Sequence, residues 1–241
     1  MFQAVQPARP SPPPRRRWFL RFVVLVLLSA MTFAGWIAGQ VWPLRENDPD
    51  TTAFMEAGLE RLRARNPNAR IQHRWVPYER ISVHLKRAVL AAEDQKFLQH
   101  EGFDWEAMQK AYERNQQTAR LRGGSTITQQ LAKNLYLSGE RTYLRKTQEA
   151  LYVFALERLL SKRRILEIYL NVVEWGEGIY GAEAASQRHF GVPAAELMPE
   201  EAAWLATILP SPRRYTGSRA AEYVQRQSAV ILSLMDKMPT P

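Results

Sequence analysis

The sequence predicts a mainly α-helical domain that is preceded by a single transmembrane helix. The first reason is an uncharged run of 23 residues, 22–44, near the N-terminus. The second is that apolar residues recur at helical spacing through most of the chain after residue 82. With 241 residues, of which 46% are hydrophobic and 24% charged, the chain has room for one sizeable core and is not disordered throughout. It contains no cysteine, which excludes disulfides, a thiol nucleophile and cysteine-bound zinc.

The N-terminal tail, residues 1–17, carries five prolines and a cluster of arginines. Such a composition cannot pack a core, so it predicts a disordered or polyproline-like cytoplasmic tail. The net charge of the chain is +9, which suits an anionic partner such as a nucleic acid, a membrane surface or a phosphorylated substrate. Five arginines that precede the first acidic residue supply more than half of it: Arg9, Arg15, Arg16, Arg17 and Arg21. The basic character is therefore mainly a property of the tail.

The membrane anchor is predicted at residues 18–44. A helix of 23 uncharged residues is about 35 Å long, which is enough to cross the ~30 Å hydrocarbon core of a bilayer. Arginines precede this span, and the acidic residues Glu46, Asp48 and Asp50 follow it. The positive-inside rule therefore places the N-terminus in the cytoplasm and the domain, residues 45–241, on the outer side. A cleaved signal peptide and a buried helix of a soluble protein are the alternatives.

The domain is predicted to begin with one extended segment and to continue as helices. Residues 71–76 alternate between polar and apolar, which predicts a short strand, and the chain after residue 82 is predicted to be helical. Residues 151–160 are apolar almost all round, which predicts a central buried helix. Two further helices are predicted at 165–172 and 200–209, the second ended by prolines.

A first polar cluster follows an apolar helix at Glu93 and Asp94, beside Phe97 and His100. A carboxylate at the end of an apolar segment is partly desolvated, which favours its protonated form and makes it a better general base. The alternative is that these acids cap a helix or pair with Lys96.

The segment that follows, residues 104–122, places Trp105, Met108 and Tyr112 on one helical face. At this spacing the favoured interpretation is an apolar stripe that faces the core.

Two later clusters combine polar groups with cations. A Gly-Gly-Ser-Thr sequence at 123–126 precedes a helical run, so its N–H groups suit an anion or a sugar phosphate, with a helix cap as the alternative. Arg145 and Lys146 lie four and three positions before Glu149, so one helical face carries two cations around one carboxylate. Because a very apolar helix follows, this cluster is predicted to bind phosphate. The four histidines are scattered, and no spacing of them or of the acids marks a metal site.

Taken in order, these stretches resemble the five motifs of the peptidoglycan glycosyltransferases, the bacterial cell-wall polymerases. The matching motifs are Glu-Asp-x2-Phe-x2-His-x-Gly-x-Asp from Glu93, Gly-Gly-Ser-Thr-Ile-Thr-Gln-Gln-x2-Lys-Asn from Gly123, Arg-Lys-x2-Glu from Arg145, Ser-Lys-x2-Ile-Leu-Glu-x-Tyr-Leu-Asn from Ser161 and Gly-x2-Gly-Ala from Gly178. They extend over about residues 81–215. One anchor without a following transpeptidase domain resembles the monofunctional biosynthetic form.

The resemblance implies a lysozyme-like fold and the polymerisation of lipid II into glycan strands through β-1,4 bonds. It implies inversion at the donor sugar and release of undecaprenyl pyrophosphate. Glu93 is then the general base that takes the proton of the acceptor's 4-hydroxyl, and Asp94 supports Glu93 or the acceptor. Glu149 matches the family's second glutamate; as a second catalytic candidate it is expected to orient the cations or to hold a divalent ion.

The resemblance also implies which side chains bind the donor. The cations expected to stabilise the leaving diphosphate are Lys133, Arg141 and Lys146, with Arg145 as a weaker candidate. The polar side chains expected to contact the donor are Ser125, Thr126, Gln129 and Gln130. Glu167 and Asn171 are expected to be structural. For residues 104–122 the resemblance implies a mobile, membrane-contacting cover of the lipid site.

No cofactor is expected to be required, and a divalent cation, Mg²⁺ or Mn²⁺, is compatible with the reaction. Expected partners are lipid II, the growing glycan strand and the membrane, with other cell-wall synthesis or division proteins as further candidates and no nucleic acid. The expected location is the bacterial inner membrane, with a single pass and the catalytic domain on the periplasmic side. The main alternative is a lysozyme-like hydrolase or lytic transglycosylase, which would not need the cations because its leaving group is uncharged.

Overall fold

A computed structural model describes residues 15–117, 124–137, 143–215 and 221–241. Within these ranges the helices are α1 (Arg15–Val41), α2 (Ala53–Arg63), α3 (Val83–Glu93), α4 (Trp105–Gln117), α5 (Ile127–Tyr136), α6 (Tyr143–Leu159), α7 (Lys162–Val172), α8 (Ala182–Phe190), α9 (Pro199–Ile208), α10 (Pro212–Tyr215) and α11 (Ala221–Met235). The strands are β1 (Gln72–His73), β2 (Glu174–Gly176) and β3 (Ile179–Tyr180). The prediction of a mainly helical chain is confirmed. Most of the predicted tail, residues 1–14, lies outside the described residues.

Helix α1 is the apolar N-terminal helix. The stretch Trp18–Arg45 is long enough to cross a bilayer, and its most apolar window of 18 residues has a mean hydropathy of 2.1. Most of the side chains of α1 are exposed, but Ile37 and Val41 at its C-terminal end, and Leu44 just beyond it, are buried against the domain. Helix α6 packs against this end. The helix therefore fits a membrane anchor that continues directly into the folded domain.

The chain just after α1 is tied to α7 by the side chain of Arg164. Its guanidinium donates hydrogen bonds to the carbonyls of Leu44 and Asn47, at 2.7 and 2.9 Å, and to Oδ1 of Asp48 at 2.8 Å. It also donates to Oε2 of Glu167, one turn further along α7, at 2.8 Å. One side chain thus satisfies two loop carbonyls and fixes where the anchor leaves the domain.

The core is centred on α7, where every residue in the range 168–172 is buried. Helices α5, α6 and α8 pack around it, while α3, α9 and α11 form a second layer of mutually packed helices. The predicted helices at 165–172 and 200–209 are confirmed.

The prediction that residues 151–160 form the central buried helix is confirmed only in part. Residues 151–159 belong to α6, on which Val153 and Leu156 are fully buried, but Phe154 is 65% exposed and Leu151 is 40% exposed. Helix α6 packs against α5 and the apolar anchor, and less extensively against the central helix α7. An all-round apolar composition predicts that a helix avoids water, but it does not distinguish a protein core from a surface next to a membrane helix.

The strand predicted within residues 71–76 is confirmed in part as β1, but the chain after residue 82 is not wholly helical. Strands β2 and β3 form a hairpin, and β1 pairs in parallel with β3, giving the order β1-β3-β2. The hairpin ends at Gly181, whose φ of +84° and close approach to the Asn171 carbonyl leave no room for a side chain. These short extended segments were missed because neither shows a run long enough to establish a period of two.

Glu167 and Asn171 are structural, as predicted. Oε1 of Glu167 accepts a hydrogen bond from the Tyr78 N–H at 2.8 Å. The Asn171 amide is fully buried and pairs with both backbone groups of Val76, each at 2.9 Å. These bonds attach the segment before α3 to α7 and so locate the start of the helix that carries Glu93.

Candidate active site

Asp94 connects three segments around the end of α3. It is 6% exposed, and its Oδ2 accepts the backbone N–H of Ile127, the first residue of α5, at 3.0 Å. His100 Nε2 lies 2.9 Å from Oδ1 of the same carboxylate, and the Gly102 N–H donates to His100 Nδ1. The proton of a neutral His100 is thereby directed to Nε2, which donates it to Asp94. Asp94 therefore has partners that hold it in place beside Glu93.

The N-terminus of α5 is closed by a capping box. The Gln129 N–H donates to Oγ1 of Thr126 at 3.2 Å, and the Thr126 N–H donates to Oε1 of Gln129 at 2.9 Å. Thr126 also donates its hydroxyl hydrogen to the Gly102 carbonyl at 2.7 Å. The helix-cap alternative for this sequence is confirmed. The expectation that Thr126 and Gln129 also contact the donor stays a prediction. Both residues are only 2% exposed.

Glu93 is the last residue of α3 and is partly buried. Its Oε2 accepts a hydrogen bond from Nε2 of Gln130 at 2.7 Å. On its other side, the Gln130 carbonyl oxygen accepts a bond from the Tyr169 hydroxyl at 2.9 Å. The three side chains come from α3, α5 and α7, so the packing of these helices decides the environment of Glu93.

The electrostatic environment of Glu93 favours the protonated carboxyl. Burial raises its pKa above the ordinary glutamate value, and the negative charge of Asp94 raises it further. The hydrogen bond from Gln130 and the positive charge of Lys133 act in the opposite direction and lower it, but burial dominates. A carboxylate with a raised pKa is a stronger base, which suits proton abstraction from a sugar hydroxyl.

A cleft whose charged side chains are mainly cations lies next to Gln130. It has a volume of about 440 Å³. Its charged lining comprises Arg61, Lys133, Arg145, Lys146 and Glu149. Glu149 is 5% exposed; Lys146 Nζ lies 2.5 Å from its Oε1, and Arg145 Nη1 lies 3.5 Å from its Oε2. The carboxylate thus orients two cations, and the cleft keeps an excess of positive charge suited to an anion.

A second cleft, of about 300 Å³, lies on the other side of Ser125, which lines both. Its lining contains the carboxylates of Glu93, Asp94, Asp104 and Glu106 and the ammonium groups of Lys96 and Lys110. The two clefts therefore differ in charge and meet where Ser125 is exposed and where Gln130 touches Glu93.

The structure brings most of the predicted site residues to these two clefts. Glu93, Asp94, Ser125 and Thr126 line the cleft of about 300 Å³, and Ser125, Gln129, Gln130, Lys133, Arg145, Lys146 and Glu149 line the cation cleft of about 440 Å³. Arg141 lies outside the described residues.

Two residues near the site have no role predicted from the sequence. Arg61 belongs to α2, ahead of the motifs, and reaches the cation cleft because α2 packs against α5. Tyr169 is a position of the fourth motif and lies among the apolar residues of α7. A phenol among apolar residues is a signal in its own right, because a buried hydroxyl needs a hydrogen-bond partner.

The predicted core-facing stripe on α4 is wrong. Trp105 is 69% exposed and Tyr112 is 66% exposed, and Trp105 stacks on Phe103. The helix rests on the domain through the neighbouring face, where Gly124 lies against Ala107 and Met108. A helical spacing of aromatic residues identifies a common face, but not what that face meets.

A divalent cation does not fit Glu149 as it stands. Its two carboxylate oxygens each face a cation, and the described residues contain no group of three or more potential His, Asp or Glu ligands. Divalent ions prefer several oxygen ligands, which Glu149 alone does not supply.

A partly buried carboxylate with a raised pKa beside a cation-lined cleft suits an enzyme that accepts a proton and stabilises negative charge. A family model described as Transglycosylase matches residues 60–236. A protein named "Biosynthetic peptidoglycan transglycosylase" from Nitrosomonas eutropha is 49% identical over 236 residues, which cover 98% of this chain and 96% of the relative. Proteins of the same name from Azoarcus sp. (strain BH72) and Aromatoleum aromaticum are 52% and 53% identical, over 87% and 85% of this chain and 93% and 91% of the relatives. The chain therefore belongs to the transglycosylase family, a family of glycosyltransferase enzymes with a lysozyme-like fold.

Proposed function

We propose that this enzyme polymerises peptidoglycan glycan strands from lipid II. In each turnover the 4-hydroxyl oxygen of the acceptor sugar forms a bond to the anomeric carbon of the donor. The bond from that carbon to the lipid diphosphate breaks, and its electron pair leaves with undecaprenyl pyrophosphate. A single in-line displacement converts an α-linked donor into a β-1,4 bond with inversion. The observation that carries the proposal is the meeting of a general-base carboxylate with a cation-lined cleft.

Glu93 is the base in this mechanism. As the hydroxyl attacks, its proton passes to Glu93, whose raised pKa supports this role. Positioned proton transfer typically contributes about 10²–10⁴-fold to the rate. The cleft that Glu93 lines would hold the acceptor, with Asp94 fixing the end of α3 through its bonds to His100 and Ile127.

The cation cleft would hold the diphosphate of the donor. Negative charge grows on the leaving oxygen as the bond breaks, and fixed cations stabilise that charge in the transition state. Lys133, Arg141 and Lys146 are the main candidates, with Arg145 as a weaker one. Glu149 acts by orienting Arg145 and Lys146 rather than by touching the donor.

The apolar α1 helix supports a membrane-bound reaction. Its length and its single occurrence among the described residues fit one pass through the inner membrane, and the arginines ahead of it favour a cytoplasmic N-terminus. The catalytic domain would then face the periplasm. Because lipid II carries a membrane-embedded tail, an anchored enzyme searches two dimensions and gains effective concentration. Other cell-wall synthesis or division proteins are the protein partners we propose.

The test is to incubate the purified full-length protein with lipid II. We expect release of undecaprenyl pyrophosphate together with a polymer that muramidase digests. Glu93→Gln should reduce polymerisation by about 10²–10⁴-fold and leave lipid II binding within about twofold. Its melting temperature should equal or exceed that of the wild type, since the change removes a buried charge.

Two outcomes would contradict the proposal. Near-normal turnover by the Glu93→Gln variant would remove Glu93 as the base. Cleavage of finished peptidoglycan without polymerisation of lipid II would instead identify a hydrolase or a lytic transglycosylase.

A further inference from the structure

Three side chains form a continuous hydrogen-bonded chain that ends at the proposed base. Tyr169 donates to Oε1 of Gln130 at 2.9 Å, and Nε2 of Gln130 donates to Oε2 of Glu93 at 2.7 Å. Tyr169 is fully buried, so it cannot touch a substrate in either cleft. It reaches the reaction only through Gln130.

The direction of this chain follows from the chemistry of its members. Complete burial raises the pKa of Tyr169 well above its ordinary value, so the phenol keeps its proton and can donate it. A carboxamide offers an acceptor on one side and a donor on the other. With its oxygen held by Tyr169, Gln130 presents its NH₂ group to Glu93.

We propose that Tyr169 is a positioning residue that locks the Gln130 amide and thereby selects Oε1 of Glu93 as the oxygen that accepts the proton. Oε2 is occupied by the Gln130 N–H, whereas Oε1 accepts no hydrogen bond from the described residues. The inference rests on the proposed function, in which Glu93 is the base.

The lock matters because Glu93 changes its charge during turnover. Before transfer Glu93 is a carboxylate, and after transfer Oε1 carries the hydroxyl proton while the sugar oxygen is bonded to the donor carbon. An amide free to rotate would have no strong preference for its NH₂ group once the carboxylate is neutral. Tyr169 keeps the NH₂ group of Gln130 on Oε2 in both states. Oε1 is therefore the oxygen that accepts the proton in every turnover.

The Gln130 hydrogen bond also affects the pH at which Glu93 ionises. The charged groups that act on Glu93 are Asp94 at the end of α3, which raises its pKa, and Lys133 on α5, which lowers it; Tyr169 on α7 stays neutral. His100 on the loop after α3 is engaged by Asp94. The Gln130 bond lowers the pKa of Glu93, so loosening that bond moves the ionisation of the base to higher pH.

The experiment compares Tyr169→Phe with Tyr180→Phe in the full-length enzyme acting on lipid II. Tyr180 is the matched control because it is also fully buried and its hydroxyl has no hydrogen-bond partner among the described residues. For Tyr169→Phe we expect kcat to fall about tenfold, with KM for lipid II within about twofold. The acid limb of the pH dependence of kcat/KM should move upward by about half a unit or more, whereas Tyr180→Phe should leave it in place.

A second variant tests whether Tyr169 acts through the amide. Gln130→Met keeps the length of the side chain but removes both hydrogen bonds, so it should move the acid limb in the same direction. Adding Tyr169→Phe to Gln130→Met should then change kcat by less than about twofold, because the hydrogen-bonded connection from Tyr169 to Glu93 is already absent. If Tyr169→Phe does not fold, the acid limb of Gln130→Met still tests whether the Gln130 amide controls the ionisation of Glu93.

The outcomes separate this inference from the proposed function. An unchanged acid limb in Gln130→Met, or additive losses in the double variant, would overturn the positioning role while leaving Glu93→Gln inactive. A wild-type enzyme that does not polymerise lipid II would overturn the proposed function itself.

Discussion

Glu93 and Glu149 are the same residue type in two different environments. Glu93 ends an apolar helix and receives one neutral amide, so burial raises its pKa and prepares it to take a proton. Glu149 is buried but lies between Arg145 and Lys146, so its charge is compensated on both sides. Their neighbours, and not their identity, support proton transfer as the role we propose for Glu93 and the orientation of cations as the role we propose for Glu149.

The cation cleft gives the residue-scale prediction. Lys146→Ala and Arg61→Ala should each lower kcat/KM for the lipid-linked donor by about tenfold, because each removes one charge-assisted contact to the diphosphate. Use of a separately supplied glycan acceptor should change by less than about twofold. The measurement is the initial rate with donor and acceptor varied independently.

Arg65→Ala is the control for Arg61→Ala. Arg65 follows α2 closely in the chain, but it is 72% exposed and pairs with Glu177 away from the cleft. Its loss should leave donor use unchanged. Equal losses of donor and acceptor use in the Lys146 or Arg61 variants would count against a diphosphate site.

At the scale of elements, the site depends on how α3, α5 and α7 meet. Helix α3 delivers Glu93, the capped start of α5 binds Asp94, and α7 supplies Tyr169. Gly102 allows this meeting because its φ is +86° and a side chain there would lie 2.4 Å from Val153 on α6. The site is therefore a junction of three helices and one tight turn.

The hydrogen bonds that Arg164 forms with the segment after the anchor, here called the Arg164 clamp, give the element-scale prediction. Arg164→Ala removes three hydrogen bonds between α7 and the segment after the anchor, and a fourth to Glu167 within α7. We expect the free energy of unfolding to fall by about 2–3 kcal/mol, which corresponds to about 4–12 °C in melting temperature. Thermal unfolding of the full-length protein in one detergent measures the change.

The neighbouring Arg163→Ala variant is the comparison. Arg163 is half exposed, pairs with Glu79 and lies over the Tyr78 ring, so its removal should cost about 1 kcal/mol or less. Similar losses in the two variants would mean that the clamp has no special role.

At the scale of the whole molecule, the anchor is part of the core. Ile37, Val41 and Leu44 are buried by the domain, and the Tyr136 hydroxyl donates to the Gln40 carbonyl at 3.4 Å. Tyr136 in turn stacks on Tyr152 of α6 with ring centroids 4.0 Å apart. The last turns of α1 thus cover apolar surface on α5 and α6 that would otherwise meet solvent.

Truncation tests this arrangement. A variant that begins at Gly35 keeps the three buried side chains, whereas one that begins at Asp50 loses them. Each buried aliphatic side chain contributes about 1.5–3 kcal/mol, so the longer variant should melt at least about 5 °C higher in the same detergent. Equal melting temperatures would show that the anchor is only tethered to the domain.

The sequence by itself determined the helical class, the apolar span and the order of the motifs, because these depend on local composition and spacing. It also predicted Glu93 and the cations on α5 and α6 as site residues from their chemistry, and the structure places these residues at the two clefts. The tertiary structure alone decided which faces are buried, so Leu151 and Phe154 on α6 are exposed where a central buried helix was predicted and Trp105 is exposed where a core stripe was predicted. It alone brought Arg61 into the cation cleft and Tyr169 within reach of Gln130. Periodicity along one helix identifies a common face, but the partner of that face is set by chain segments that are distant in sequence.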